Sequence, residues 1–153
     1  MATSVRLSRE EAWQAIEAAH TGILTTLRAD GMPIATPVWF VGLDRRVYVG
    51  TPNHTKKVAR LRRDARVSFL VESGERWAEL RGVHLTGRAA FVTDAGLTQR
   101  VNAALEAKYA PFRTARSAMP EQTRHHYTVP RTLIEIVPDE RILSWDNARL
   151  GLS

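Results

Sequence analysis

The chain has 153 residues, 44% hydrophobic and 25% charged, proportions that suit one globular domain with a substantial core. It contains no cysteine, which excludes disulfide frameworks, thiolate metal sites and cysteine nucleophiles. The net charge is +6, carried by 19 Arg and 3 Lys against the acidic residues, and such a balance suits an anionic partner. Arg6, Arg9, Glu10 and Glu11 interrupt the start where a secretory leader would be apolar, so a cytoplasmic location is expected. The longest apolar stretch, residues 33–43, is too short to cross a bilayer, and no membrane partner is expected.

The first predicted element is a helix over residues 8–19, because Ser8 and Glu11 form a capping box ahead of an Ala12, Trp13, Ile16, Ala19 stripe. After Gly22 the period changes to two. Residues 23–28 read as a strand, Ala29-Asp30-Gly31-Met32 as a tight turn, and residues 33–43 as the hairpin partner. A third strand, 46–50, leads into a short helix over 53–64 with Asn53 as its N-cap and Val58 and Leu61 inward. A strand over 65–71, a turn at Ser73-Gly74-Glu75 and a long strand over 77–92 follow, with a bulge or bend expected at Gly82. Thr93 and Asp94 open a helix reaching Tyr109. Residues 110–120 read as irregular, and a final strand pair covers 132–137 and 141–145. The fold class expected is mainly β with a few helices, a six-stranded antiparallel barrel. A doubly wound parallel sheet would need a helix after nearly every strand.

The stretch Thr51-Pro52-Asn53-His54-Thr55-Lys56-Lys57-Val58-Ala59-Arg60 takes the chain from a strand end into a helix. A helix N-terminus carries about half a positive charge, so cations in its first turn cost about 0.3–1 kcal/mol each unless an anion resides there. Lys56 and Lys57 sit in that turn and Arg60 one turn on. With the hydroxyls of Thr51 and Thr55 they form a phosphate seat, the other reading being a solvated charged face. Thr36-Pro37-Val38-Trp39 places a proline in a strand, which confines that strand to an edge or bulge. The exposed backbone there could meet the heteroatom rim of a planar ring.

These segments in order resemble the pyridoxamine 5'-phosphate oxidase-like split β-barrel superfamily, and within it the flavin and deazaflavin oxidoreductases. The resemblance rests on Gly22-Ile-Leu-Thr-Thr-Leu-Arg-Ala-Asp-Gly, Pro33-Ile-Ala-Thr-Pro-Val-Trp-Phe, Val47-Tyr-Val-Gly-Thr and Thr55-Lys-Lys-Val. It continues in Ala65-Arg-Val-Ser-Phe, Leu85-Thr-Gly-Arg-Ala, Ile134-Glu-Ile-Val-Pro and Arg141-Ile-Leu-Ser-Trp. It implies an FMN-binding split barrel working as a homodimer, with the cofactor in a groove between subunits. Carried over by position, it puts the cofactor phosphate at Thr51, Thr55, Lys56 and Lys57, to which charge placement adds Arg60, and the ring along the strand 35–39, with Thr36, Pro37, Val38 and Trp39 as its contacts. The deazaflavin coenzyme F-420 is the expected cofactor, because its polyanionic tail suits the further cations Arg60, Arg62 and Arg63; FMN is the alternative. The chain is shorter than pyridoxamine phosphate oxidase proper, and its C-terminus matches that enzyme's substrate region only faintly.

The expected reaction is hydride transfer between bound cofactor and a small organic substrate, with no essential side-chain acid or base. His84 and Arg88, on one face of the long strand, and Trp145 are candidate substrate contacts, the other reading being a solvent face and a core anchor. A non-catalytic flavin or haem carrier on the same fold is the competing class. The cluster Lys56, Lys57, Arg60, Arg62, Arg63 lacks interleaved aromatics, so nucleic acid is not an expected partner. His125-His126 has no third ligand at metal spacing, and no nucleophile elbow supports hydrolysis.

Overall fold

A computed structural model describes residues 3–152. Its helices are α1 (Arg9–Ala18), α2 (Lys56–Arg63), α3 (Ala95–Tyr109) and α4 (Glu121–Thr128). Its strands are β1 (Gly22–Leu27), β2 (Pro33–Val38), β3 (Val41–Leu43), β4 (Arg46–Pro52), β5 (Arg66–Ser73), β6 (Arg81–Phe91) and β7 (Arg131–Asp146). All pairings are antiparallel, in the order β2-β1-β5-β6-β7-β4-β3. The outermost strands β2 and β3 are consecutive in the chain, joined only by Trp39 and Phe40. The sheet therefore curls into a half-barrel whose seam lies at that link.

The sheet has seven strands rather than six, and two of the predicted segments have other boundaries. The segment 33–43 breaks at Trp39-Phe40, where Phe40 turns into the core. The final pair is one strand, β7, whose pairing with β6 slips from Gly87↔Pro138 to Leu85↔Ile142. Residues 139–141 loop outward across from Thr86, and the Thr86 hydroxyl ties the loop down through Asp139 at 2.7 Å. The irregularity in this region is therefore not at Gly82, which pairs regularly with Glu72 and Trp145. Gly82 is glycine because the Trp145 indole lies across it, and a Cβ would run into the ring.

Alternation along the strands sends Leu24, Val47, Val49, Phe69, Val83, Leu85, Ile134 and Ile136 into one core, closed at one side by Trp13 and Ile16 of α1. Helix α1 begins as its sequence dictates: Ser8 accepts from the Glu11 amide and Glu11 from the Ser8 amide. A second cluster, Val41, Tyr48, Val101 and Leu133, seats α3 on the outside of β3–β4–β7. The long strand predicted from Trp77 starts only at Arg81, because Trp77–Glu79 is a 3-10 turn held by Asn147, whose side-chain amide donates to the Trp77 carbonyl. Helix α4 lies in a polar stretch with no apolar stripe to announce it, although Pro120 followed by Glu121 is a usable helix start.

Because Gly82 and Trp145 share one space, Gly82→Ala should destabilise the protein by about 1–3 kcal/mol through overpacking. In a Trp145→Ala background most of that loss should vanish in denaturant titration; strictly additive losses would contradict the packing.

Candidate anion-binding site

Strand β4 ends at Pro52, and the Thr55 amide closes a turn onto the Pro52 carbonyl before α2 begins at Lys56. The N-cap is thus Thr55 and not Asn53, whose side chain instead accepts a hydrogen bond from the Thr132 hydroxyl. Thr55 makes no side-chain capping bond, and no acidic residue occupies the first turn. The first-turn amides of α2 are left without a cap while Lys56 and Lys57 are its first two residues. Thr51 is buried at 3% exposure, and its hydroxyl lies 3.3 Å from that of Thr55.

Lys57 is half-buried. Desolvation, then Arg60, then Arg131, hold its ammonium below the usual lysine range. Arg131 arrives from the far end of the sequence, because β7 pairs with β4 in the register Pro52↔Arg131. Its guanidinium donates to the Gly50 carbonyl at 3.1 Å and is itself held below its usual range by desolvation, then by Arg113. Among the described residues none of Lys56, Lys57, Arg60, Arg62, Arg63 or Arg131 meets a carboxylate within ion-pair distance. Lys56, Ala59, Arg60 and Arg63 share one face of α2 and line an open cleft of about 460 Å³ against Arg28, Ala29 and Asp30 of the β1–β2 turn. The structure therefore brings Thr51, Thr55, Lys56, Lys57 and Arg60 together as the sequence suggested. It separates Arg62, which turns away to lie over the Phe91 ring at 5.4 Å.

Strand β2 is an edge strand, which accommodates Pro37. Pro37 is exposed, Thr36 half-buried, and the Val38 side chain is buried in the core, so only its backbone can meet a ligand. Trp39 lies just beyond the strand, 37% exposed, with its ring stacked on Tyr109 at 4.4 Å and 5°. The Arg113 guanidinium also lies over the Trp39 ring, 5.9 Å from its centroid. His84 and Arg88 lie outward on β6, and Trp145 lies outward on β7 over Gly82, on the open face of the sheet rather than in the α2 cleft. His84 stands in a cross-strand row, Pro37, Ile23, Leu70, His84, Leu143, of which Leu143 is 60% exposed. His126 meets His54, Nδ1 to Nε2 at 3.1 Å, and no third ligand joins them among the described residues.

Sequence reasoning missed the pins that hold the seam. The Tyr109 hydroxyl sits between the His20 and Phe40 carbonyls, at 2.8 and 2.9 Å, and accepts the Phe40 amide. Lys108 donates to the carbonyls of Ala19 and Phe40, and its Nζ lies 3.9 Å from the Phe40 ring centroid. No local signal marks either residue, since their partners lie more than 60 positions away.

The fold is an antiparallel half-barrel with an uncapped, cation-rich helix start and a proline-bearing edge strand. The pyridoxamine 5'-phosphate oxidase family model matches residues 8–143, and the chain belongs to that family. Among solved structures it is similar to a conserved hypothetical protein from Mycobacterium tuberculosis, with 30% identity and a TM-score of 0.82, covering 100% of this chain and 93% of that one. It also shares its fold with an F420 reductase (19% identity, TM-score 0.62, 85% of this chain and 94% of that one). A third is the heme storage protein HutZ from Vibrio cholerae (17% identity, TM-score 0.67, 89% and 91%). No curated protein matches the chain. Among the described residues no helix is long and apolar enough to cross a membrane.

Burial brings the Lys108 ammonium down to about 8 although its two carbonyls favour the charged form. A depressed lysine costs stability while both states are protonated, and that cost is relieved as pH rises from about 8 toward the unfolded value of 10.5. Wild type should therefore gain in melting temperature over Lys108→Met across that window. A difference independent of pH would contradict the burial of the charge.

Proposed function

We propose that this chain is a subunit of a homodimeric oxidoreductase that holds a phosphate-bearing flavin-type cofactor, the deazaflavin F-420 ahead of FMN. The observation that carries the reading is the first turn of α2, where Lys56 and Lys57 stand at uncapped amides with no acidic residue in the turn and, among the described residues, none in ion-pair contact. An anionic phosphate, whether monoester or diester, fits this donor set: ammonium groups, free amides and the hydroxyls of Thr51 and Thr55 all favour negative charge. The open cleft beyond, with Arg60 and Arg63, suits further anionic groups and so favours the deazaflavin over FMN. When bound, the cofactor supplies hydride chemistry to a small organic substrate. The chain's part is to anchor the phosphate at α2, to offer the β2 backbone from Thr36 to Val38 along the ring, and to place Trp39 at the ring's end. The row ending in the exposed Leu143 is an apolar face that a second copy would cover. His84, Arg88 and Trp145 on that same face would then be brought toward the partner's substrate.

A carrier without turnover is the second reading. His84 favours it, an imidazole between Leu70 and Leu143 on a flat face, as an axial haem ligand would be. A Soret band in the purified protein would move the balance to it.

Two opposed effects test the seat. Lys56→Ala with Lys57→Ala should leave the melting temperature of the empty protein unchanged or raised, because the helix dipole opposes both charges and desolvation opposes that of Lys57. The same variant should bind either cofactor about ten- to a hundredfold more weakly for each direct hydrogen bond to the phosphate removed, corresponding to about 1.5–3 kcal/mol. Unchanged affinity for both cofactors would place the phosphate elsewhere.

A further inference from the structure

Across α2 from the phosphate cleft lies a second cavity of about 300 Å³, between the ends of β6 and β7 and the first turns of α3. Arg62 and Arg131 line it together with the apolar Val92 and Leu133, and α3 contributes Thr98 and Asn102. The volume is at the small end of ligand pockets, which run to about 1,000 Å³.

The two arginines define its chemistry. Neither has a carboxylate within ion-pair distance among the described residues, while eight other cation-bearing residues of the chain do. Arg62 is steadied by the Phe91 ring at 5.4 Å, an interaction that orients the guanidinium without neutralising it. Arg131 spends one nitrogen on the Gly50 carbonyl at 3.1 Å and keeps its remaining donors, out of five on a guanidinium. Desolvation and the neighbouring Arg113 and Arg116 make it a cation under stress, which an anion in the cavity would relieve. The Asn102 side chain makes no hydrogen bond within the protein among the described residues. The Thr98 hydroxyl donates to the Asp94 carbonyl and keeps its lone pairs for a donor on the ligand.

We infer that this cavity binds a small organic acid, its carboxylate between Arg62 and Arg131 and its apolar body on Val92 and Leu133. The cavity lies across α2 from the cleft of Lys56, Arg60 and Arg63, shares Arg131 with the corner where Lys57 stands, and does not rest on the cofactor reading. Positions 60 and 63 face one side of α2 and position 62 the other, so the helix divides the two.

The probe is benzoate, with benzamide as the uncharged match and inorganic phosphate as an anion without an apolar body. In titrations followed by backbone amide shifts, benzoate should move Thr98, Asn102 and Thr132, and benzamide should not. Arg62→Gln should weaken benzoate at least about tenfold, as loss of one charge-assisted hydrogen bond does. Arg131→Gln should do the same, and Arg62→Gln covers the case in which Arg131→Gln fails to fold. Cofactor binding to Arg62→Gln, measured in parallel, should stay within about twofold of wild type. No shifts with benzoate at millimolar concentration would overturn the proposal, as would binding that survives Arg62→Gln. Displacement by phosphate at equal concentration would reduce the site to a general anion patch and overturn the ligand class. Joint loss of benzoate and cofactor in Arg62→Gln would show one site, not two.

Discussion

Like charges crowd the end of β4, where Lys57, Arg60 and Arg131 stand without a carboxylate, and the β4–β7 pairing is what holds them there. Register fixes the arrangement: Pro52 opposite Arg131 and Thr51 opposite Thr132 bring two segments about 80 residues apart to one corner of the barrel. The same pairing engages Asn53 with the Thr132 hydroxyl, which takes the best capping side chain away from α2. An uncapped helix start with two lysines in its first turn is the result. Each of these terms raises the free energy of the empty protein, and each is lowered by an anion. On the proposed reading, binding rather than stability explains the arrangement.

Much of this was legible in the sequence because it is local. The capping box of α1, the alternation of the strands and the placement of cations after Thr51 all involve residues a few positions apart. Even the misplaced cap does no harm to the charge reading, since moving the helix start from Asn53 to Lys56 brings the lysines closer to the dipole. What was not legible depends on pairing across distance. Arg131 is one more arginine after Pro130 until β7 lies beside β4. Lys108 and Tyr109 read as the end of an ordinary helix until the carbonyls of Ala19, His20 and Phe40 come within reach. Gly82 reads as a bend because alternation alone cannot show that an indole from Trp145 needs its space. Arg62 reads with Arg60 and Arg63 as one basic run, and only the turn of the helix separates them.

The seam between β2 and β3 links the barrel to its sites. Phe40 anchors it in the core, Tyr109 and Lys108 hold its carbonyl from outside, and Trp39 is left stacked and half open beside the edge strand. The edge strand and the α2 cleft therefore sit on a scaffold whose closure is fixed by α3. The same helix forms one wall of the second cavity. Both sites depend on the rigid parts of the barrel for position and on its surface for charge.

The central claim is that α2 binds a phosphate, and the most direct measurement compares ligands that differ only there. FMN and riboflavin should be titrated into the apo-protein at two salt concentrations, with F-420 and its phosphate-free deazaflavin chromophore alongside. FMN is expected to bind about ten- to a hundredfold more tightly than riboflavin, with an advantage that shrinks as salt rises. The deazaflavin pair should show the same pattern with a larger gap, since the tail is lost with the phosphate. Equal affinity within either pair, insensitive to salt, would contradict a phosphate seat at α2.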